Sequence, residues 1–305
     1  MRIRIENILL TTDLSDSSSY AIPYGVAIAK EYGSKIHLCH VIDLPSTGIY
    51  GDAISYPVGQ QDRVVGYTNQ HLTQLMAGWN VDWEPVITIG HPPTEIVRLA
   101  KTKRMDLVIS ATHGRSGWKR FILGSVTGRL MRALPCPLML LRSPDHPERI
   151  QPGRSVKLER ILVGCDFSPD SGLAVQYGLS LAQEFQSDLH LAHVIAPPLY
   201  ENLIKRSIER EKEYQEDLRG KLREKLNELV PDEVHNWCVL HTTLLAGQPY
   251  EELVKYAVVH DIDLMVLGLR GQSLVETLFV GSTADRVARD SPCPVLLVRP
   301  IANIE

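Results

Sequence analysis

The chain has 305 residues, 44% of them hydrophobic and 22% charged, with a net charge of −4. That is the profile of an ordinary globular protein, and it argues against a duplex-DNA or membrane-surface protein, which would show a basic face. No run approaches the ~20 apolar residues of a membrane span, and the length predicts two domains.

The chain begins with basic residues and a short apolar run, Ile8-Leu9-Leu10, which soon meets Asp13 and Asp16. This is not a signal-peptide pattern, so a cytoplasmic location is expected. A short apolar strand is predicted over residues 8–12. The Ser/Asp-rich turn TTDLSDSS leads to a helix over 18–32, with Ser18 as candidate N-cap and Ala21, Tyr24, Gly25 and Ile28 on one face. A second strand, KIHLCHVI, covers 35–42. A loop rich in Gly, Pro and Tyr (43–59) and a helix to about residue 79 follow. The third strand, 83–89, ends in GHPP, where proline suits the first turn of a helix. The fourth, MDLVISA, is apolar enough to be buried on both faces of a parallel sheet. The loop ATHGRSGWKRFILGSVT comes next, then a helix over 125–134 and a last strand opened by PCP.

The same series then repeats. NILLTTDLSDSS returns as RILVGCDFSPDS, and Asp13 and Asp166 are 153 residues apart, as are Val41 and Val194. Past the middle of each unit the offset is 157: Gly90 pairs with Gly247, Asp106 with Asp263, Gly124 with Gly281 and Cys136 with Cys293. The second copy therefore predicts strands at 161–165, 188–195 and 237–245, with a fourth in IDLMVLG, and helices at 171–185 (Ser171 as candidate N-cap) and 282–290. A long charged helix from about 201 to 229 reads as a solvated surface helix, a partner-binding role being the lesser reading. Residues 144–157, with three prolines between residues 144 and 152, read as an exposed linker between domains at 1–143 and 158–305.

Strand–helix alternation of this kind predicts an α/β fold: two homologous open five-stranded parallel-sheet domains in tandem, Rossmann-like. Ligands of such sheets sit beyond the carboxyl ends of the strands, where strand order switches. The glycine loops reach that place. A helix N-terminus offers unpaired N–H groups and a positive dipole end to a phosphate. Glycine permits close approach and positive φ, and Ser125, Thr127, Ser282 and Thr283 add hydroxyls. A plain strand-to-helix connection remains the alternative reading. There is no GxxxxGK[ST], and TTDLSDSS has no glycine, so neither a P-loop nor a dinucleotide fingerprint is present.

With Gly268-x2-Gly271-x9-Gly281-Ser282 complete in the second copy, and Gly114-x9-Gly124-Ser125 in the first, the sequence resembles the universal stress protein family in its tandem form. The aspartate ending strand one, the valine ending strand two and the closing PCP strand also match, in both copies. The resemblance implies an adenine nucleotide alpha hydrolase-like fold that binds ATP or AMP; Mg2+ can accompany ATP. It further implies that Asp13 and Val41 hold adenine, that Ala111, His113 and Gly114 line the ribose and α-phosphate, and that Gly124, Ser125, Val126 and Thr127 hold phosphates. The matching second-copy positions are Asp166, Val194, Gly268, Arg270, Gly271, Gly281, Ser282, Thr283 and Ala284. Two departures stand out: Ala111 where the family has glycine, and Ala284 where Thr127 offers a hydroxyl. Arg270 could contribute a phosphate charge. Both sites are expected to be competent but unequal.

Asp13 and Asp166 could instead cap the following turns, and His113 could be a solvent-facing loop residue. His37 and His40, like His190 and His193, lie three apart on a strand and point to opposite faces, which disfavours a metal site. The five cysteines, odd in number and without CxxC, read as reduced and mostly buried. No Ser–His–Asp or Cys–His pairing is evident. The leading expectation is a non-enzymatic adenine-nucleotide sensor or binding module of the stress response, with any ATP hydrolysis slow. A nucleotide-independent scaffold acting through residues 201–229 and 43–59 is the second reading, and a nucleotide-dependent enzyme a weaker third. An intramolecular pseudo-dimer through the last strands is expected from the family, and a homodimer is plausible.

Overall fold

Segments such as Asn7–Thr11 and Leu107–Ala111 have no polar face to show to water, and they become central strands covered on both sides: Ile8, Leu9, Leu10, Val108 and Ile109 are fully buried. The computed structural model describes residues 2–43, 60–112, 124–142, 156–196, 208–271 and 280–300. Two compact units form, built on Arg4–Val156 and Lys157–Pro300.

The first unit runs β1 (Asn7–Thr11), α1 (Asp16–Ser19), α2 (Ile22–Tyr32), β2 (Lys35–Ile42), α3 (Gln60–Met76), β3 (Trp83–Ile89), α4 (Pro92–Thr102), β4 (Leu107–Ala111), α5 (Ser125–Ala133) and β5 (Leu138–Leu141). The second runs β6 (Arg160–Gly164), α6 (Pro169–Phe185), β7 (Asp188–Ile195), α7 (Ile208–Asn227), a 3-10 turn at Asp232–Asn236, β8 (Leu240–Ala246), α8 (Pro249–Val259), β9 (Leu264–Gly268), α9 (Ser282–Asp290) and β10 (Val295–Val298). Strand order is β3-β2-β1-β4-β5 in one and β8-β7-β6-β9-β10 in the other, and the neighbours within each are parallel. Each sheet thus reverses direction between its first and fourth strands, as the expected fold class requires.

The duplication extends to the backbone. Leu14 and Phe167, one residue beyond the paired aspartates, both take left-handed φ, 65° and 62°. Asp106 Oδ2 accepts the backbone N–H groups of Glu6 and Asn7 at 2.8 and 2.9 Å, and Asp263 Oδ2 does the same for Glu159 and Arg160 at 2.8 and 2.9 Å. These clamps anchor the start of β1 and β6 to the fourth strands.

Three sequence expectations need correction. The predicted helix 18–32 is two helices, because Pro23 has no N–H to give to the carbonyl of Ser19 and its ring crowds that carbonyl. In the second unit Gln176 holds this place and α6 runs unbroken. The N-caps are Ser15 and Ser168, three residues earlier than expected; their hydroxyls accept from the N–H groups of Ser18 and Ser171. The strand expected from 237 begins only at Leu240, after the 3-10 turn. The seven residues 201–207 at the start of the charged helix lie outside the described residues, as do 43–59 apart from Asp43, and most of the linker.

All five cysteines are free; Cys39, Cys136, Cys165 and Cys238 are buried and Cys293 partly so. Burial pushes the Cys39 thiol up to about 12 and Cys293 to about 11.

Helix α6 lies close on its sheet. A Cβ on Gly178 would stand 2.3 Å from Val163 Cγ2. Gly178→Ala is therefore expected to lower stability by ~2 kcal/mol through overpacking. Gly220→Ala on the exposed side of α7, with nothing within 4 Å, should raise it by about 0.5–1 kcal/mol. Urea unfolding midpoints of the two variants check both signs.

Candidate functional site

The carboxyl ends of β1 and β4 define one cleft, and those of β6 and β9 the other. At each, an imidazole ties the loop after the first strand to the second strand: His40 Nδ1 bonds the Thr12 carbonyl at 2.8 Å and His193 Nδ1 the Cys165 carbonyl at 2.8 Å. Nδ1 is the donor in both, because a carbonyl only accepts. The neighbouring Val41 is buried, while Val194 is half-buried. Asp13 Oδ1 accepts from the N–H of Ser15 at 3.0 Å, and Asp166 Oδ1 from the N–H of Ser168 at 3.0 Å. The turn-capping role weighed for these aspartates is thus visible, and Asp166 Oδ2 would lie 2.8 Å from a Cβ on Gly271.

The helices that start at the clefts are α5 and α9. Their N-caps are Gly124 and Gly281, at φ −54° and −62°, and in neither does a side chain cap the first-turn N–H groups. Ser125 and Ser282 are exposed there, and Val126 and Thr283 half-buried. Thr127 is 2% exposed and its counterpart Ala284 also 2%, so the hydroxyl difference between the copies falls on an inward-facing position.

The glycines are used differently from the expectation of positive φ. Among the described residues the glycines with positive φ are Gly33, Gly78, Gly90 and Gly247; Gly124, Gly268, Gly271 and Gly281 have ordinary backbones, and the last three serve close approach. A Cβ on Gly268 would stand 2.7 Å from the backbone of Asp170 and Ser171 in the first turn of α6. Gly281 donates its N–H to the Leu269 carbonyl at 2.8 Å, and its Cβ would meet that oxygen at 3.2 Å. Ala111 carries a Cβ at the place of Gly268. Its φ is not in the positive region either, so the methyl brings no backbone strain.

Arg270 has an engagement that the sequence did not reveal. Its Nε and one terminal nitrogen grip the Asp170 carboxylate at 2.9 Å each, and its backbone N–H adds a bond at 3.2 Å. The Asp170 side chain is 4% exposed and that of Arg270 24%, which makes this a buried, bidentate pair. A phosphate reaching for Arg270 would have to displace a carboxylate. The first unit has Ser17 and His113 at the two positions. His113 and Gly114 lie outside the described residues, as do 115–123 and 272–279.

Two further neighbours were missed. Phe167 packs on His193 with ring centroids 4.7 Å apart, and Lys225 of α7 places its ammonium 4.3 Å from the Phe167 ring. The charged helix thus reaches the cleft rim. The only sequence signal was the aromatic residue directly after Asp166. Among the described residues no group of three His, Cys, Asp or Glu side chains could hold a metal ion, and no helix is long and apolar enough to cross a membrane.

Comparison with known proteins gives a consistent picture. The model of the universal stress protein family matches twice, over residues 4–142 and 157–299. A universal stress protein of Methanocaldococcus jannaschii is 29% identical over 141 residues, 46% of this chain and 83% of its own length. One from Thermus aquaticus is 31% identical over 146 residues, 46% of this chain and 97% of its own. The crystal structure of a universal stress protein from Archaeoglobus fulgidus superposes with a TM-score of 0.69 at 20% identity, covering 98% of this chain and all of that one; at that identity the likeness is one of fold.

The Asp170–Arg270 pair generates a stability prediction. Asp170→Ala leaves a largely buried guanidinium without its counter-charge and should cost about 3 kcal/mol. Arg98→Ala, which removes the exposed Glu95 pair at 2.7 Å, should fall within experimental scatter. Guanidinium chloride titration of both variants decides.

Proposed function

The chain belongs to the universal stress protein family in its tandem form, and from that premise we propose that it binds an adenine nucleotide, ATP or AMP, as a non-enzymatic sensor or regulator. The observation that carries this reading is the paired start of α5 and α9. Each is a helix N-terminus capped by glycine alone, at the carboxyl end of the strand where the sheet reverses. Amide dipoles and N–H groups facing a switch-point cleft suit a phosphate chain, and the G-x9-G-S spacing shared by both copies agrees.

On this reading the phosphates lie against the N–H groups and hydroxyls of Gly124, Ser125 and Val126, with Thr127 supporting the turn from inside. The base lies between the turn at Asp13 and the end of β2 at Val41. Ala111, His113 and Gly114 would complete the ribose side. Asp166, Val194, Gly268, Gly271, Gly281, Ser282, Thr283 and Ala284 repeat the frame in the second unit. There, Gly268 and Gly271 have their open sides filled by α6 and by Asp166, and Arg270 is held by Asp170. This favours the first unit as the principal site and gives the second a scaffolding character. A base or nucleophile activated by a neighbour is what catalysis would need; the reading assigns none, and any Mg2+ would arrive with ATP.

The test is direct. Protein purified without added nucleotide is denatured, and the supernatant is analysed by mass spectrometry and by its A260/A280 ratio, followed by calorimetric titration with ATP and AMP. The expected stoichiometry is about one per chain. Gly124 has an ordinary backbone, and its Cβ would meet its nearest neighbour, the Thr112 carbonyl, at 3.4 Å. Gly124→Val should therefore fold normally, yet put an isopropyl group where the phosphates sit and weaken binding at least ~100-fold, about 2.7 kcal/mol. A clean supernatant with no heat on titration would leave only the scaffold reading. Unchanged affinity in Gly124→Val, beside a wild type that binds, would move the site elsewhere.

A further inference from the structure

At the amino ends of the strands, far from the clefts, the two units hold one frame and opposite chemistry. In the first unit Glu84 of β3 collects Lys35 Nζ at 2.8 Å, Lys103 Nζ at 3.0 Å and His37 Nδ1 at 2.9 Å. Hydrogen bonds from Lys35 and Lys103 hold its carboxyl down at about 2. The other His37 nitrogen meets Asn7 Oδ1 at 3.2 Å. Both nitrogens of that buried ring are matched; burial lowers it, and the Glu84 carboxylate beside it pulls against that shift.

The second unit replaces this network with imidazoles. By the two offsets, Glu84 becomes His241, Lys103 becomes His260, Lys35 becomes Asp188 and Asn7 becomes Arg160, while His37 is kept as His190. His190 on β7 stacks on His241 of β8, ring centroids 4.5 Å apart and planes 25° from parallel. His260, just past α8, lies 5.7 Å from His190 and stacks on Tyr256 at 4.0 Å. The Tyr256 hydroxyl meets His190 Nδ1 at 2.9 Å. His190 is 6% exposed, and its buried Nε2 has no hydrogen-bond partner among the described residues. The rings line an open pocket of about 760 Å3.

The remaining charges do not compensate a proton on His190. Arg160 of β6 repels it. Asp188 of β7 attracts it, but among the described residues no carboxylate pairs with the ring. Asp261, after α8, faces Arg160 at 3.7 Å. Burial, followed by the neighbouring imidazoles, lowers His190 to about 4. The three rings do not converge on a point able to hold a metal ion.

We infer that the cluster of His190, His241 and His260 is an acid-operated latch: with His190 uncharged, the stacked rings hold the end of α8 onto β7 and β8, and a proton on His190 drives them apart and frees it. The sign follows from linkage. A ring at about 4 when latched and at the ordinary 6.5 when exposed binds protons preferentially in the open form. Opening is therefore favoured progressively from pH 6.5 down to 4 and levels off below, reaching roughly 30-fold at pH 5 from His190 alone. None of this depends on nucleotide.

The test is peptide-resolved hydrogen exchange on the full chain at pH 7.5, 6.0 and 5.0, corrected for the intrinsic pH dependence of exchange. Peptides spanning 240–260 should lose protection by about 10- to 30-fold at pH 5 and regain it on return to pH 7.5. The equivalent peptides at 83–103, where Glu84 offsets part of the burial shift on His37, serve as the internal control and should change less. The double substitution His241→Glu with His260→Lys, which installs the first unit's residues, should reduce the acid response to that of the control. If that variant folds poorly, His260→Gln alone should reduce it. Equal behaviour of the two segments in the wild type, or a full response persisting in a folded variant, overturns the inference.

Discussion

A parallel strand cannot follow its neighbour through a tight turn; the chain must cross a face of the sheet as a helix. When successive crossovers leave the first strand in opposite directions, the loops at its carboxyl end part and a crevice opens. Here that happens at β1 and β4, and again at β6 and β9. The paired aspartates, the histidine–carbonyl ties and the glycine-capped helices all sit where they do because of this reversal. The clamps at Asp106 and Asp263 hold the same strands from the far end. Around the second crevice the chain folds closely enough that the Cβ atoms missing at Gly268, Gly271 and Gly281 matter more than backbone freedom.

The fold was legible because its signals are periodic and doubled. β2, β7 and β3 were read to the residue, since apolar β-branched runs bounded by turns leave little choice. The boundaries that slipped have local causes. Pro23 divides a helix whose apolar spacing continues across the break. Ser15 and Ser168 win the capping role because their hydroxyls reach the N–H groups of Ser18 and Ser171. Trp237 looked like strand but belongs to the exit of a 3-10 turn. Around the clefts, the motif marked where the glycines lie but not what fills them. The Asp170–Arg270 pair joins residues 100 apart in sequence, and the approach of Lys225 to Phe167 crosses from one element to another. Contacts of that kind have no period to read.

Duplication lets the two units be compared as a controlled pair. Where the backbone is under constraint they agree, down to the left-handed residues Leu14 and Phe167. Where side chains face water or a cleft they part. Ser17 against Asp170 and Glu84 against His241 are single exchanges, yet each changes the local chemistry, from neutral to charged or from carboxylate to imidazole. One scaffold thus supports two different responses without altering its strand order.

The buried thiols have a consequence of their own. The thiolate is the form that reacts with peroxides and alkylating agents. A group held at about 12, as Cys39 is, carries that form in only about one molecule in 10⁵ at neutral pH. An oxidative burst that modifies exposed cysteines elsewhere would pass Cys39 by while the chain stays folded. Any lasting mark on that sulfur would therefore be a memory of transient unfolding, written into the molecule each time its interior met the reagent.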